Sequence, residues 1–237
     1  MNINDDPITS YDGVLKGLAE LYEKPFINSI RKTLLQFRDA EVEGALNRNQ
    51  IQCKKWLVES LAAVASDIGT VFLLGGWYGT LASLLQENRK FKIKEIHSID
   101  LDPSCAKIAL SLNAHLPQLG LPFHAWTGDV YTLNLKQPEK SEVKDADGKS
   151  VFCPAPAPNL VVNTVCEHLP SMPKWLEGVP DGTLLVLQSN NFEQEPTHIN
   201  CVASLEEFKK QVKIKQILFE GVLSLKKYDR YMLIGRK

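Results

Sequence analysis

Residues 71–80 read VFLLGGWYGT, a short apolar run followed directly by a glycine-rich turn, and a helical pattern resumes at Thr80. Such an apolar run is typical of a strand buried in a parallel sheet. Glycine permits positive φ and close approach of a ligand, and the free N–H groups at a helix start favour anionic or polar ligand atoms. The pattern indicates a nucleotide site, although the same arrangement also serves plain α/β packing.

Three later strand-like segments also end in polar residues. The run at 96–100 ends in Asp100, the run at 123–130 carries Asp129 near its end, and the run at 159–163 ends in Asn163. Ligands of open α/β sheets bind outside the carboxyl ends of the strands, and an acid after the second strand faces a bound ribose. We therefore expect these residues to share one site with the glycine turn, with Asp100 on the ribose.

Asp102 and Pro103 follow Asp100 directly. Aspartate is a favoured N-cap, and proline is tolerated at the first helical position because its missing N–H is not needed there. We expect Asp102 to cap the next helix, with Pro103 as its first residue.

After residue 68 the patterns of strands and helices alternate, which predicts an α/β fold with a doubly wound, mostly parallel sheet. The segment 182–189 is the fifth predicted strand and 205–212 a helix. Two closing strands, 216–224 and 228–236, are separated by a gap short enough for an antiparallel pair. Residues 137–158 are rich in proline and charge and predict an exposed, mobile excursion.

Before residue 68 three segments show helical spacing of apolar residues: 11–22, 26–46 and 50–65. These stripes predict core-facing helices, and we expect the third to pack on the sheet. The predicted organisation is a helical N-terminal cap at 1–48 and a Rossmann-like domain at 49–237.

The composition is that of an ordinary globular protein, with 237 residues, 44% hydrophobic, 23% charged and a net charge of −1. Near-neutral charge argues against general coating of nucleic acid, and we interpret the basic segment 201–237 as a solvated face. No apolar run is long enough to span a bilayer and the polar start lacks a signal-peptide pattern, so we expect a cytoplasmic protein without a membrane partner.

The five cysteines form no C-x-x-C pair, and their odd number disfavours a disulfide framework. Cys166-x-His168 and His198-x-x-Cys201 carry donor atoms, but these spacings match no common zinc pattern. The sequence therefore predicts buried thiols and no metal.

With these motifs in place, the chain from about Cys53 onward resembles the class I S-adenosylmethionine-dependent methyltransferases. The resemblance implies S-adenosyl-L-methionine as the cofactor. It places Gly75, Gly76 and Gly79 under the methionine part, Asp100 on the ribose and Leu101 beside the adenine. It likewise implies that Asp129 receives the adenine amino group with Val130 packed beside it, and that Asn163 contacts the cofactor. We expect Trp77 to line the cofactor pocket, with a core-facing ring as the alternative. Glu167-His168-Leu169 is similar to a Glu-His-aliphatic signature of small-molecule members.

Two positions depart from the family pattern. Leu73 stands where the family usually carries an acid, and Trp77 stands where it usually has glycine. These departures leave open a cofactor-binding regulatory protein without turnover. A dehydrogenase is a third reading, but the turn does not fit its G-x-G-x-x-G fingerprint.

Methyl transfer from a sulfonium depends mainly on in-line positioning, with a base where the acceptor must lose a proton. The candidate catalytic residues are Asn163, Glu167 and His168, at the mouth of the fourth strand. We favour a small-molecule acceptor; a nucleic-acid or protein acceptor stays open, as does the oligomeric state.

Overall fold

The computed structural model describes residues 7–22 and 24–237, with side chains from residue 11. None of the described helices is long and apolar enough to cross a bilayer. The helices are α1 Pro7–Tyr22, α2 Pro25–Gln36, α3 Val42–Leu46, α4 Arg48–Val64, α5 Thr80–Asn88, α6 Cys105–Leu112, α7 His115–Gln118, α8 Met172–Glu177 and α9 Leu205–Val212. The strands are β1 Asp67–Leu74, β2 Lys92–Asp100, β3 Phe123–Thr127, β4 Glu142–Lys144, β5 Ser150–Phe152, β6 Leu160–Asn163, β7 Leu184–Asn190, β8 Gln216–Ser224 and β9 Asp229–Arg236.

The nine strands form one sheet in the order β5-β4-β3-β2-β1-β6-β7-β9-β8. The five central strands, β3-β2-β1-β6-β7, are parallel, and β9 and β8 continue the sheet in antiparallel pairing. The chain order reverses between β1 and β6, which is the topological switch point where open α/β sheets bind ligands. The predicted parallel sheet with an antiparallel C-terminal pair is confirmed.

Each face of the sheet carries its own apolar core. One contains Leu57 of α4 and Leu85 of α5 against Val71, and the other contains Trp175 of α8 and Phe208 of α9 against Phe72. Alternate β1 residues therefore point to opposite cores, as the period of two in a strand requires. The doubly wound arrangement is confirmed, and α4 packs on the sheet as expected.

The N-terminal helical pattern at 26–46 is interrupted, so the expectation of one continuous helix there was wrong. Helix α2 ends at Gln36 and α3 begins at Val42. Between them the chain turns so that the backbone N–H of Glu41 donates to the Tyr78 hydroxyl at 3.3 Å. The break brings this segment onto the glycine turn, a tertiary contact that helical periodicity does not encode.

The apolar stripe predicted to place α1 in the core is mostly solvent-exposed. Helix α1 packs on α2, and α2 packs on α6 rather than on the sheet. Val14, Leu21 and Tyr22 are therefore exposed. The core assignment of this stripe was wrong because α1 packs mainly on α2.

The predicted excursion at 137–158 contains structure. Strands β4 and β5 form an antiparallel hairpin that pairs with the edge of β3. Val143 and Cys153 within it are buried in the core. The hairpin covers an otherwise open sheet edge, which the proline and charge content concealed.

The turn after β2 also differs from its prediction. Helix α6 begins at Cys105, so Pro103 is not its first residue. Asp102 caps the preceding turn instead, with its carboxylate accepting from the Ser104 N–H at 2.8 Å.

Asn113 at the end of α6 fixes the start of α5. Its amide nitrogen donates to the carbonyl of Tyr78 at 3.2 Å and to that of Ala109 at 2.9 Å, and its carbonyl accepts from the Ser83 hydroxyl at 2.7 Å. The side chain is fully buried. These bonds join two helices to the glycine turn away from solvent.

We expect Asn113→Ala to lower the free energy of unfolding by about 1–3 kcal/mol, because the buried polar groups that Asn113 bonds would lose their hydrogen-bond partner. Urea unfolding measures the change. Adding Ser83→Ala should cost less than the sum of the two single substitutions, because both partners are then removed. Full additivity would contradict the proposed bond between these side chains.

Candidate functional site

A cavity of about 1060 Å³ lies over the carboxyl ends of β1, β2 and β6. This volume lies just above the usual range for small-molecule sites, which is about 300–1,000 Å³. The glycine turn lies at one end, and polar side chains from β7, from β9 and from the segment after β6 lie at the other. Helix α4 contributes Gln50, Cys53 and Lys54 to the wall.

The glycine turn is held against the end of β2. The N–H groups of Gly75 and Gly76 donate to the carbonyl of Ile99 at 2.9 and 3.2 Å. Gly75 has φ +64, and a Cβ there would collide with Val165, while one at Gly76 would collide with the Ser98 hydroxyl. Both glycines line the cavity. A larger residue at either position would collide with Val165 or Ser98.

Gly79 has a different place. It is the left-handed residue that begins α5, with φ +68, and a Cβ there would press on Asn113 and Phe123. It does not line the cavity among the residues described. The structure thus separates Gly79 from the two other predicted glycines.

Trp77 occupies the turn with φ +49, a left-handed conformation that is uncommon outside glycine and worth attention in a bulky residue. Its N–H donates to Asp100 Oδ2 at 2.7 Å. Its ring lies 5.1 Å from that of Tyr78 and packs against the apolar cluster that contains Val42 and Ala45 of α3. Trp77 therefore belongs to the cavity wall while its ring packs on the N-terminal helices.

The predicted acids lie on the same side of the cavity as the turn. Asp100 ends β2, and its Oδ1 accepts from the Asp102 N–H at 3.1 Å. Asp129 follows β3, is exposed, and accepts from the Tyr131 N–H at 2.8 Å. Leu101 is exposed on this wall and Val130 is buried beside Asp129. Two carboxylates and two apolar side chains thus surround a shared space.

A buried polar network forms the opposite end. The Glu167 carboxylate accepts from Asn190 Nδ2 at 2.5 Å and from Arg230 Nη1 at 3.3 Å. Arg230 also donates to the carbonyl of Thr164 at 2.5 Å and to Gln188 Oε1 at 3.2 Å. The network fixes the position of Glu167.

Two histidines complete this end of the cavity. His168 follows Glu167 directly, and His198 arrives from the segment between β7 and α9. The rings are perpendicular with centroids 4.7 Å apart, and His198 Nε2 lies 4.0 Å from the Glu167 carboxylate. The structure thus brings together the predicted Glu167 and His168 and adds His198.

Asn163, predicted for both catalysis and the cofactor, is fully buried at the end of β6. Its side-chain oxygen Oδ1 accepts from the Val165 N–H at 3.0 Å, and the residue is not part of the described cavity wall. Its Nδ2 has no hydrogen-bond partner within the described part of the chain. Asn163 therefore lies beneath the wall that Thr164 and Val165 form.

The two cysteines near the site, Cys166 and Cys201, are not part of the group formed by Glu167, His168 and His198. Cys166 is completely buried, which raises the pKa of its thiol well above the usual value, and its Sγ lies 3.6 Å from the carbonyl of Asn163. Burial also raises the pKa of Cys201. Cys166 is therefore a buried thiol, as the sequence predicts, whereas Cys201 is only half-buried.

Sequence reasoning missed Lys54, Arg230, Gln188 and Asn190 as site residues. Gln188 and Asn190 could have been found, because they stand at the carboxyl end of the fifth parallel strand, where the rule applied to Asp100 also applies. Lys54 and Arg230 carry no such signal, since one lies in a helix and the other in an antiparallel strand.

Comparison of the sequence with protein-family models and with curated proteins finds no match. Solved structures resemble the fold. The N-methyltransferase NodS from Bradyrhizobium japonicum WM9, in complex with S-adenosyl-l-homocysteine, aligns with a TM-score of 0.56 at 12% identity, over 90% of this chain and 97% of that one. Magnesium protoporphyrin IX methyltransferase (ChlM) from Synechocystis PCC 6803, with bound SAH, gives 0.56 at 12%, over 94% and 99%.

A third structure, a SAM-dependent methyltransferase from Aquifex aeolicus, aligns with a TM-score of 0.52 at 14% identity, over 83% of this chain and 96% of that one. The chain therefore has the fold of the class I S-adenosylmethionine-dependent methyltransferases. This agrees with the resemblance stated from the sequence.

Lys54 gives the cavity an unusual titrating group. It is partly buried and bonded to Gln50 Oε1 at 2.6 Å. Burial, assisted by the nearby Arg230 guanidinium, lowers its pKa from 10.5 to about 8. Between those two values the unfolded chain binds more protons than the folded chain, so Lys54 makes stability rise with pH across that window.

We expect Lys54→Met to stabilise the protein at pH 7 by about 1–3 kcal/mol, because the cost of burying the charge is removed. The gain should fall to nothing by about pH 10.5. Urea unfolding at both pH values measures it, and Lys55→Met on the exposed side of the same helix is the matched control. A gain of equal size at both pH values would contradict the lowered pKa.

Proposed function

We propose that the protein is an S-adenosylmethionine-dependent methyltransferase. The observation that carries the proposal is one continuous cavity with two chemically different ends. The glycine turn, Asp100 and Asp129 lie at one end, and Glu167, His168 and His198 at the other. A transferase must hold donor and acceptor side by side, and this cavity offers a compartment for each. The bound S-adenosylhomocysteine of NodS and ChlM, which share the fold, supports the same cofactor here.

Asp100 accepts from the ribose hydroxyls in this proposal, and Leu101 and Val130 enclose the adenine. Asp129 accepts from the adenine amino group. Gly75, Gly76 and Trp77 lie along the methionine part, and the Trp77 ring offers a π face to the sulfonium. Asn163, with a buried amide nitrogen that has no described partner, supports this end from beneath.

The chemistry asks little of the protein beyond positioning. The sulfonium is already an activated leaving group, so an in-line approach within a water-poor cavity supplies most of the rate. Glu167 and His168 lie at the acceptor end, where they orient the acceptor and its departing proton. The fixed position of Glu167 between Asn190 and Arg230 suits an orienting role.

We further propose that the acceptor is a small polar molecule. Its compartment is bounded by α4, by the segment after β7 and by the side chains of Tyr228 and Arg230. A nucleic-acid strand would need an open, positively charged groove, whereas acids and bases are mixed here. The helices before residue 48 that the structure describes cap the cavity from the side of the glycine turn, where Glu41 lines it.

We expect Asp100→Ala to weaken binding of both S-adenosylmethionine and S-adenosylhomocysteine by about 1–3 kcal/mol, because the ribose hydroxyls lose a buried acceptor. Calorimetry measures the affinities. Asp147→Ala, in the exposed turn of the β4–β5 hairpin, is the control and should leave them unchanged. Equal affinities in wild type and Asp100→Ala would remove Asp100 from the site.

Asp129→Ala should weaken binding only where the ligand carries the adenine amino group. We expect a cofactor analogue without that exocyclic amine to bind wild type and variant alike, because it has no hydrogen bond to lose. A variant that binds the analogue worse than wild type does would show a structural effect instead.

Trp77 lines the cavity, so its fluorescence should change when the cofactor binds. We expect Trp77→Phe to abolish most of this change and Trp126→Phe, away from the described cavity wall, to leave it intact. A change that survives Trp77→Phe would show that another tryptophan reports the binding.

Turnover is tested with cofactor labelled in its methyl group and a cell extract divided by size. A small-molecule acceptor places the label in the low-mass fraction. Label in protein or nucleic acid would overturn the acceptor class, and tight binding without transfer to any fraction would favour the regulatory alternative.

A further inference from the structure

Glu167, His168 and His198 form a cluster of potential metal ligands at the acceptor end of the cavity. Each offers one ligand atom, and the three atoms lie within 4.8 Å of one another. Ligands of a four-coordinate zinc ion lie roughly 3–3.5 Å apart, given metal–ligand bonds of about 2 Å. Small side-chain rotations therefore bring the three donors onto one ion.

Hydrogen bonds set both imidazoles in the form that binds metal. His168 Nδ1 lies 3.1 Å from the carbonyl oxygen of Thr197, and His198 Nδ1 lies 2.7 Å from that of Phe192. A carbonyl only accepts, so each Nδ1 carries a hydrogen, and in the neutral imidazole Nε2 then has the lone pair. This is the outer-shell arrangement that orients metal-binding histidines.

The carboxylate also has an unused donor atom. Asn190 and Arg230 both bond Glu167 Oε1, whereas Oε2 is buried and has no hydrogen-bond partner in the described residues. The side chain is only 3% exposed and belongs to the cavity wall. A buried carboxylate oxygen without a partner is costly, and a cation removes the cost.

A second cluster of one glutamate and two histidines differs, because its hydrogen bonds already occupy the nitrogens of one histidine. Glu95, His97 and His124 also gather their ligand atoms within 4.8 Å. There, however, His97 Nε2 pairs with Glu95 at 3.2 Å, and its Nδ1 accepts from Trp126 Nε1 at 3.3 Å. Both nitrogens of that imidazole are occupied, so it has no lone pair to give.

We propose that Glu167, His168 and His198 bind one divalent first-row transition-metal or zinc ion. Two imidazoles and one carboxylate favour such ions over magnesium or calcium, which prefer oxygen donors alone. Three protein ligands leave coordination positions open toward the cavity. The acceptor's oxygen or nitrogen fills one of them, and the ion lowers the pKa of that group; this role, unlike the binding itself, rests on the proposed methyl transfer.

The metal site is tested on full-length protein without a polyhistidine tag. Co²⁺ is titrated in the absence of cofactor and followed by its visible absorption, and Zn²⁺ is titrated against a chromophoric chelator. We expect one ion per chain. His198→Ala and His168→Ala should each weaken binding more than about tenfold, because each removes a ligand.

His124→Ala in the second cluster is the matched control and should leave the stoichiometry and affinity unchanged. Glu167→Gln keeps an acceptor for Asn190 and Arg230 but removes the charge. It therefore removes the metal ligand while keeping the hydrogen bonds that hold this part of the fold. Circular dichroism verifies that each variant is folded. The proposal fails if wild type binds no ion, or if His124→Ala weakens binding as much as His198→Ala does.

The two proposals fail in different ways. Metal binding without methyl transfer would leave the metal site standing and remove its catalytic role. Methyl transfer by wild type that a metal chelator does not slow, together with no Co²⁺ absorption, would overturn the metal site and leave the methyltransferase intact.

Discussion

The site depends on the attachment of the glycine turn to the end of β2. Three successive N–H groups, those of residues 75, 76 and 77, donate to the Ile99 carbonyl and the Asp100 carboxylate. These bonds hold the turn so close to β2 that a Cβ at residue 76 would collide with the Ser98 hydroxyl, and they fix one oxygen of Asp100 toward the turn. The cofactor end of the cavity and Asp100 take their positions from this attachment.

Much of the sheet is encoded locally. The central strands and the closing antiparallel pair follow from apolar runs, and Asp100 and Asp129 follow from the rule that parallel strands present their carboxyl ends to one edge. The glycine turn could be found because its backbone geometry demands glycine. These are features in which a few adjacent residues determine the outcome.

Other features depend on contacts between distant segments. The segment between α2 and α3 is positioned by a hydrogen bond to Tyr78, which is distant in the sequence. The apolar residues of α1 are exposed because that helix packs mainly on α2. His198 and Arg230 approach Glu167 from an irregular segment and an antiparallel strand. Rules based on residue spacing describe one helix or strand at a time, so they do not predict these contacts between elements. The proposed metal site illustrates the point: in the sequence Cys166 and Cys201 stand beside the two histidines, whereas in the structure the Glu167 carboxylate lies near them.

Trp77 connects two parts of the molecule that the sequence suggested were separate. Its backbone is bonded to Asp100, its ring packs on the cluster that contains Val42 and Ala45, and the adjacent Tyr78 accepts from Glu41. Occupancy of the turn and docking of the N-terminal helices are therefore two equilibria with shared contacts. Linkage makes this coupling reciprocal. If a ligand on the turn stabilises the docking of those helices by a given free energy, docking strengthens the binding of that ligand by the same free energy.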